Sequence, residues 1–246
     1  MALKTIIVED EALSRLYLHN LLAQHCAGVE VVASVATEDE AVSAIETFQP
    51  GLLLLDIELQ QGSGFEVISR ISAPYPYIVF TTAFDDRVLN AIRFSGVDFL
   101  EKPVDMEALA SLVDGLIQAK TIPAQPSLHY LRETLANNFQ PVHLAVTVAG
   151  GVVYVLIADI IRLEAIDQDR VLCVLRDGAP LEISANISEM SVLLETRHFY
   201  RVQLTHLVNL GNVERLEAGQ LTMVNGERVP VSPKKEQRVR ELLTGL

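Results

Sequence analysis

The first half of the 246-residue chain alternates short apolar runs with longer amphipathic segments. The apolar runs cover residues 3–8, 29–33, 52–55, 77–80 and 97–100. The amphipathic segments that follow them cover residues 11–25, 38–47, 65–71, 86–94 and 105–119. Continuous apolar runs separated by segments of helical length are typical of parallel strands that crossover helices bury on both faces. The pattern therefore predicts a doubly wound α/β domain with a sheet of five parallel strands.

Beyond residue 141 the hydrophobic period changes to two. Apolar residues alternate with polar neighbours, as expected for a half-buried strand, at Leu181, Ile183, Ala185 and Ile187. Turn dipeptides separate the apolar runs of this half at Gly150-Gly151, Asp177-Gly178 and Asn225-Gly226. Asn-Gly and Asp-Gly fit the positive φ angles of tight hairpin turns. The second half is therefore predicted to be mostly antiparallel β.

Two segments of the second half do not follow the strand pattern, and both are predicted to be helices. They cover residues 188–196 and 233–243. Ser232 can cap the second helix, and Pro233 can occupy its first position, where a missing N–H costs nothing.

The joint between the halves is predicted at Lys120–Ser127, where two prolines interrupt helix formation. Apolar residues at helical spacing follow it and predict a short helix: Leu128, Leu131, Leu135 and Phe139. The predicted organisation is a domain over 1–120, a linker with a short helix over 121–140, and a second domain over 141–246.

Composition and charge narrow the possible classes of function. Hydrophobic residues make up 50% of the chain and charged residues 21%, which excludes a disordered or low-complexity chain. The net charge of −13 disfavours a nonspecific polyanion binder, because phosphate neutralisation supplies most of such affinity. Residues 1–140 hold 8 Lys or Arg against 19 Asp or Glu, whereas residues 141–246 hold 11 against 13. The acidic excess therefore lies in the first half.

No apolar stretch approaches the ~20 residues that a membrane helix needs, and the N-terminal sequence lacks the apolar region of a secretory signal. We therefore expect a cytoplasmic protein without membrane contact. Cys26 and Cys173 are too few for a disulfide framework and are interpreted as packing residues.

Residues with candidate chemistry stand at the carboxyl ends of the predicted parallel strands. Glu9 and Asp10 follow the first strand, Asp56 ends the third, Thr82 ends the fourth and Lys102 follows the fifth. Such strand ends meet at one edge of the sheet, so three carboxylates would share one site. Clustered carboxylates favour a hard cation such as Mg²⁺. Asp56 is then a candidate nucleophile, with the ammonium and hydroxyl groups placed to hold an incoming phosphoryl group.

Each of these residues has an ordinary explanation when it is considered alone. An acidic pair after a strand is most often a solvated loop, and Lys102-Pro103 is by itself only a turn signal. The five residue types together, each at the matching strand end, favour a functional site.

The first 120 residues resemble the receiver domains of two-component response regulators, which have a flavodoxin-like fold. The motifs that carry the resemblance are the acidic pair at 9–10, LLLLD ending at Asp56, TTA ending at Ala83, and FLEKP over 99–103. The resemblance implies that the chain is not an enzyme. Instead, Asp56 would accept a phosphoryl group from a sensor histidine kinase.

The resemblance also implies a role for each site residue. Mg²⁺ would be held by Asp10, by Asp56 and by the backbone carbonyl of Glu58, while Glu9 supports the metal site. Lys102 would contact the phosphoryl group, and Lys102-Pro103 would be a cis peptide bond. Thr82 and Phe99 would form the switch that responds to phosphorylation, although a lone aromatic residue in a strand is usually a core residue.

Residues 142–244 resemble the LytTR type of DNA-binding domain. The resemblance rests on IIRLEA over 160–165, FYRVQLTHLVNL over 199–210 and VNGERVPVS over 224–232. It implies binding to promoter DNA through loops. The candidate contacts are Arg201, Gln203, Thr205, His206, Asn209, Lys234, Lys235 and Arg238.

This half departs from the family pattern at two expected DNA contacts. Leu204 and Pro233 stand where the family usually has arginine, which makes bidentate contacts with guanine or phosphate. The basic residues near the C-terminus can also be the solvated face of a helix, and Asn209 can be a turn residue.

Two hypotheses follow from the sequence. The first is a response regulator in which phosphorylation of Asp56 promotes a homodimer that binds repeated half-sites in promoter DNA. The second is a phosphorylation-switched protein-interaction module that no longer binds DNA, which the absence of the two arginines would explain.

Overall fold

A computed structural model describes residues 2–72, 74–83, 86–119, 127–177 and 179–245 of the chain. The chain divides into two compact units, Met1–Gln140 and Pro141–Leu246. Among the described residues, no helix combines the length and the apolar character needed to cross a membrane.

The first unit contains a parallel sheet of five strands in the order β2-β1-β3-β4-β5. The strands are β1 Leu3–Val8, β2 Val29–Val35, β3 Leu52–Asp56, β4 Tyr77–Thr82 and β5 Asp98–Glu101. The helices are α1 Ala12–His25, α2 Glu38–Phe48, α3 Gly64–Arg70, α4 Asp86–Ser95, α5 Met106–Gln118 and α6 Ser127–Ala136. The predicted doubly wound fold is confirmed, with strand ends within two residues of the prediction.

Helices cover both faces of this sheet, which explains the continuous apolar runs. On one face, apolar residues of α2, α3, α4 and α6 pack against β1, β3 and β4. On the other face, α1 and α5 pack against the same central strands. Every residue of β3 is buried, including Asp56 at its end. The acidic residue therefore marks the point where the apolar strand reaches the edge of the sheet.

The second unit is mostly antiparallel β, as predicted. Its strands are β6 His143–Val148, β7 Gly151–Leu156, β8 Ile160–Ala165, β9 Arg170–Leu175, β10 Leu181–Ser184, β11 Phe199–Arg201, β12 His206–Asn209, β13 Val213–Glu217, β14 Gln220–Met223 and β15 Arg228–Pro230. They form sheets with the orders β10-β9-β8-β12-β11, β13-β14-β15 and β6-β7. Its helices are α7 Ile187–Leu193 and α8 Glu236–Thr244.

Two of the predicted hairpin turns are confirmed. Val148 pairs with Gly151 at the end of the β6-β7 hairpin, and Asn225-Gly226 joins β14 to β15 with φ of 82° at the glycine. The turn at Asp177-Gly178 and the linker residues 120–126 fall at positions that lie outside the described residues.

The predicted start of the last helix is wrong. α8 begins at Glu236, and the residue before it, Lys235, makes no side-chain capping bond. Ser232 accepts a hydrogen bond from the Lys235 N–H through its backbone carbonyl, while its own N–H donates to the carbonyl of Val202. Pairing with the neighbouring segment therefore holds residues 232–235 in a turn, so neither Ser232 nor Pro233 starts the helix.

Candidate functional site

The predicted acidic residues meet at one edge of the parallel sheet. Glu9 and Asp10 follow β1, and Asp56 ends the neighbouring strand β3. One carboxylate oxygen from each of the three residues lies within 4.8 Å of the others. Glu9 is fully buried and Asp56 is 4% exposed, whereas Asp10 is partly exposed. The fold thus brings Asp56 to a pair of acidic residues that lie 46 and 47 positions before it in sequence.

Lys102 supplies the positive charge of this cluster. Its Nζ lies 2.6 Å from Glu9 Oε2 and 2.6 Å from Asp56 Oδ2. Its backbone N–H donates to the carbonyl of Thr82 at 2.8 Å, which joins the ends of β4 and β5. The Lys102-Pro103 peptide bond is cis, as the resemblance implied.

The charges of the cluster favour binding of an additional cation. Burial raises the pKa of Glu9, although the hydrogen bond from Lys102 opposes this, and the Asp56 carboxylate raises it further. Burial alone would lower the pKa of Lys102, but its hydrogen bonds to Asp56 and Glu9 outweigh burial and raise it. Three carboxylates face one ammonium group, whose Nζ contacts both Glu9 Oε2 and Asp56 Oδ2. An oxygen-rich set with excess negative charge fits a hard divalent cation.

The loop after β3 is tied to the phosphoacceptor candidate. The Glu58 N–H donates to Asp56 Oδ1 at 3.1 Å, and the Gly64 N–H donates to the carbonyl of Ile57 at 2.9 Å. A Cβ atom at Gly64 would lie 2.3 Å from the carbonyl oxygen of Asp56. The first turn of α3 therefore packs directly on the backbone of Asp56.

The two predicted switch residues lie on adjacent strands. Thr82 is 1% exposed and ends β4, whereas Phe99 is half-buried in β5. Phe99 is in register with Phe80, two residues before Thr82 along the strand. The guanidinium of Arg93 lies 5.4 Å from the centre of the Phe99 ring. Thr82 adjoins the site through its carbonyl, which accepts the Lys102 N–H, and the movement of Thr82 and Phe99 on phosphorylation stays a prediction.

In the second unit, two of the predicted DNA contacts, Gln203 and Thr205, lie in the loop between β11 and β12, and Arg201 and His206 lie on the strands at its two ends. Arg201 holds this loop, because its guanidinium donates to the carbonyl of Leu204 through Nε and Nη2 and to Ser188 Oγ through Nη1. Leu204 is 83% exposed at the tip of the loop, and Thr205 beside it is also exposed. Gln203 is partly exposed. Arg201 is therefore engaged in shaping the loop.

The remaining candidates divide into exposed and engaged side chains. Lys234 and Arg238 are exposed, and Arg238 pairs with Glu241 at 3.1 Å. Lys235 donates to the carbonyl of Arg201 and lies 5.7 Å from the centre of the Tyr200 ring. Lys235 thus contacts the strand residue at which the β11-β12 loop begins.

Asn209, a predicted DNA contact, has an amide group that is engaged within the second unit. Asn209 is 6% exposed, its Nδ2 donates to the carbonyl of Ile160 at 3.0 Å, and its Oδ1 accepts the Gly211 N–H at 3.0 Å. Both ends of its amide stabilise the junction of β8 and β12, so the group is not available to read a base.

Comparisons with known proteins match both units. Residues 5–114 match the family described as "Response regulator receiver domain", and residues 150–244 match the "LytTr DNA-binding domain". The chain is a two-component response regulator of the receiver-LytTR type. It is 28% identical to the transcriptional regulatory protein BtsR of Salmonella typhi, over 98% of this chain and 99% of the relative. It is 26% identical to the sensory transduction protein LytT of Enterococcus faecalis, over 97% and 98% of the two chains. The combination of a receiver domain with a DNA-binding domain shows that this response regulator regulates transcription.

Two contacts at the receiver site of this response regulator were not predicted from its sequence. Arg15 Nη1 donates to the backbone carbonyls of Glu9 and Asp10 and so fixes the loop that carries both carboxylates. Phe139 lines a cavity together with Asp10 and Glu58. Arg15 lies on α1 one turn after the acidic pair, a spacing that could have suggested its role. Nothing in the sequence near Phe139 indicated its contact.

Proposed function

We propose that Asp56 of this response regulator accepts the phosphoryl group of a phosphohistidine on a sensor kinase. An oxygen of the Asp56 carboxylate forms the new bond to phosphorus. The P–N bond of the donor breaks, and its electron pair stays on the imidazole. The observation that carries the proposal is the position of Lys102 Nζ, 2.6 Å from both Asp56 and Glu9, in a cluster of three carboxylates.

The donor set around Asp56 supports Mg²⁺ as the cation of the site. Asp10, Asp56 and the backbone carbonyl of Glu58 would hold it, while Glu9 supports the site through Lys102. When bound, Mg²⁺ supplies charge neutralisation for the phosphoryl oxygens. Arg15 keeps the loop of Glu9 and Asp10 in place through its contacts with their carbonyls.

Phosphorylation changes the charge balance around Lys102. An acyl phosphate adds acceptor oxygens and negative charge next to an ammonium that now bonds to carboxylates. Lys102 Nζ and the hydroxyl of Thr82 would then bond to the phosphoryl oxygens. Movement of Thr82 would leave space that Phe99, half-buried on the adjacent strand, can fill. Slow loss of the phosphoryl group to water would return the site to its starting state.

A phosphorylation assay tests this proposal. Incubation with Mg²⁺ and a small acyl phosphate should add one phosphoryl group to the wild type, as measured by intact-mass spectrometry. Asp56→Asn should abolish the addition because an amide oxygen is a poor nucleophile. Asp114→Asn, the same change at an exposed position on α5, should leave it unaltered. Undiminished labelling of Asp56→Asn would exclude this residue as the acceptor.

We further propose that phosphorylation promotes a homodimer in the cytoplasm that binds repeated half-sites in promoter DNA. The loop of Gln203 and Thr205, with exposed Lys234 and Arg238, supports a role in DNA contact. Arg201 and Lys235 shape that loop, and His206 borders it. A second tethered half-site makes the next contact effectively intramolecular, which raises affinity without new groups.

Gel-shift experiments with DNA upstream of its own operon test this second step. We expect binding by the phosphorylated protein and weaker binding by the unphosphorylated protein. If phosphorylated protein binds no promoter fragment, the exposed Leu204 would instead favour a module that interacts with another protein. Sedimentation of the same samples with and without the phosphodonor reports whether phosphorylation changes the oligomeric state.

A further inference from the structure

Helix α6, which lies between the receiver match and the second unit in sequence, packs into the core of the first unit. Leu128 and Leu131 of α6 are buried at 3% and 0% exposure. They pack in the same cluster as Ile68 of α3 and Phe80 of β4. These contacts anchor α6 beside the helices that follow the phosphoacceptor strand. Residues up to 140 therefore belong physically to the unit that carries Asp56.

Polar contacts hold α6 in the same position. Arg132 Nη2 donates to the carbonyl of Ile68 in α3, and its Nη1 donates to Tyr75 Oη at 3.0 Å. The guanidinium also lies over the Tyr75 ring, 5.1 Å from its centre. α6 is thus hydrogen-bonded to α3, whose first turn packs on the backbone of Asp56.

The chain leaves α6 through a reversal that brings an aromatic ring to the phosphoacceptor site. Asn138 and Phe139 have φ angles of 51° and 59°. Residues other than glycine adopt this left-handed backbone conformation at a cost in conformational free energy. The Phe139 ring packs edge-to-face on Phe65, with centroids 6.1 Å apart, and Phe65 packs in the same way on Phe80 at 5.3 Å. The contact between the Phe139 and Phe65 rings therefore stabilises this unfavourable backbone conformation.

The same ring forms a wall of a cavity next to Asp56. The cavity has a volume of about 540 Å³ and is open to solvent. Phe139 and Phe65 line it together with Asp10, Glu58 and the loop that joins β3 to α3. Asp10 and the backbone carbonyl of Glu58 are ligands of the cation in the proposed function, and a carboxylate oxygen of Asp10 lies within 4.8 Å of one of Asp56. Water that approaches the site past the Phe139 and Phe65 rings therefore meets an apolar surface with no hydrogen-bonding group.

We propose that Phe139 is a positioning residue of the phosphoacceptor site that shields the acyl phosphate on Asp56 from water. In hydrolysis, a water oxygen forms a bond to phosphorus, and the bond between phosphorus and the Asp56 oxygen breaks. Asp56 regains its carboxylate, and inorganic phosphate leaves with the protons of the water. The docked ring narrows the approach of that water. This inference rests on the proposed phosphorylation of Asp56.

Phosphorylation of Asp56 and docking of the Phe139 ring would influence each other. The loop from Asp56 to Gly64 carries the hydrogen bond from the Glu58 N–H to Asp56 Oδ1, which would change when the carboxylate becomes an acyl phosphate. That loop leads directly to Phe65, on which Phe139 packs. If occupancy of Asp56 alters docking of Phe139, docking must alter the stability of the occupied state. Phe139 lies two residues before the start of the second unit.

The lifetime of the acyl phosphate tests the inference in the full chain. Protein is phosphorylated with Mg²⁺ and a small acyl phosphate, the donor is removed, and intact-mass spectrometry follows loss of the phosphoryl group. We expect Phe139→Ala to shorten the half-life about fivefold or more, and Phe139→Tyr, which keeps the ring, to restore it. Phe48→Ala, the same truncation at an exposed position at the end of α2, should match the wild type.

The outcomes separate this inference from the proposed function. If the wild type takes up no phosphoryl group, the proposed function fails. If the wild type is phosphorylated and Phe139→Ala has an unchanged half-life, only the role of Phe139 is overturned. Where Phe139→Ala does not fold, as judged by circular dichroism, Phe139→Leu replaces it, and equal half-lives for the Leu and Tyr variants overturn the role of the ring.

Discussion

Gly64 is the residue that leaves least room for change next to the phosphoacceptor. A Cβ at this position would lie 2.3 Å from the carbonyl oxygen of Asp56, and backbone atoms cannot yield as a flexible side chain does. Gly64→Ala must therefore displace the start of α3. We expect it to lower the free energy of unfolding by about 1–3 kcal/mol and to slow phosphorylation, measured by urea unfolding and by intact-mass spectrometry.

Gly115 provides the matched control for this prediction. It lies inside α5, and a Cβ there would have no atom within 4 Å. Gly115→Ala should therefore raise the free energy of unfolding by about 0.5–1 kcal/mol, because alanine is the better helix former. Equal destabilisation by the two substitutions would contradict the proposed packing of Gly64 on Asp56.

His206 makes stability depend on pH in the second unit. Burial lowers its pKa, the Glu164 carboxylate opposes this, and the Arg162 charge adds to the lowering. A pKa below the unfolded value of about 6.5 means that its contribution to stability is fully present above that pH and is lost as the pH falls through the folded pKa. Between about pH 7 and pH 5, the unfolding free energy of the wild type should fall more steeply than that of His206→Gln. Urea titrations at several pH values measure both slopes, and parallel slopes would contradict the assignment.

At the level of secondary structure, α6 packs into the core of the first unit and is not a flexible connector. Leu131 is fully buried against α3 and β4, so Leu131→Ala should lower the free energy of unfolding by about 2–5 kcal/mol. Leu13→Ala on α1, where the side chain is 75% exposed, should change it by less than about 0.5 kcal/mol. Urea unfolding of the full chain compares the two, and a small effect of Leu131→Ala would show that α6 detaches readily.

The whole molecule combines a DNA-binding unit with a strongly acidic partner unit. With a net charge of −13 and few exposed cations near the β11-β12 loop, a single copy should bind DNA weakly and with marked salt dependence. This charge balance supports a requirement for the phosphorylated dimer.

Lys234 is the exposed cation whose contact with phosphate can be tested most cleanly, since Lys235 also holds the Arg201 carbonyl. Lys234→Ala should reduce the slope of log affinity against log salt by about 0.9, the value for one lost phosphate contact. Lys4→Ala, which removes an exposed lysine from the first unit, should leave the slope unchanged. Fluorescence anisotropy at several salt concentrations gives the slopes, and an unaltered slope for Lys234→Ala would exclude this contact.

The sequence by itself determined the parallel sheet and its strand ends. Continuous apolar runs such as LLLLD define both the strand and the place where it meets solvent, so their order along the chain is enough to assign Asp56 and Lys102 to one edge of the sheet. The change of hydrophobic period beyond residue 141 likewise indicated the antiparallel second unit. These features are local, because periodicity and turn residues act over only a few neighbouring positions.

Only the tertiary structure decided which polar groups were already engaged and which distant segments meet. Asn209 has the residue type of a DNA contact, yet its amide satisfies backbone groups of β8 and of the turn after β12. Ser232 and Pro233 have the pattern of a helix start, yet a bond to Val202 from another segment holds them in a turn. Phe139 reaches Phe65 across 74 residues of sequence. Such pairings depend on long-range packing and on the cost of leaving buried polar groups unpaired, neither of which a local pattern records.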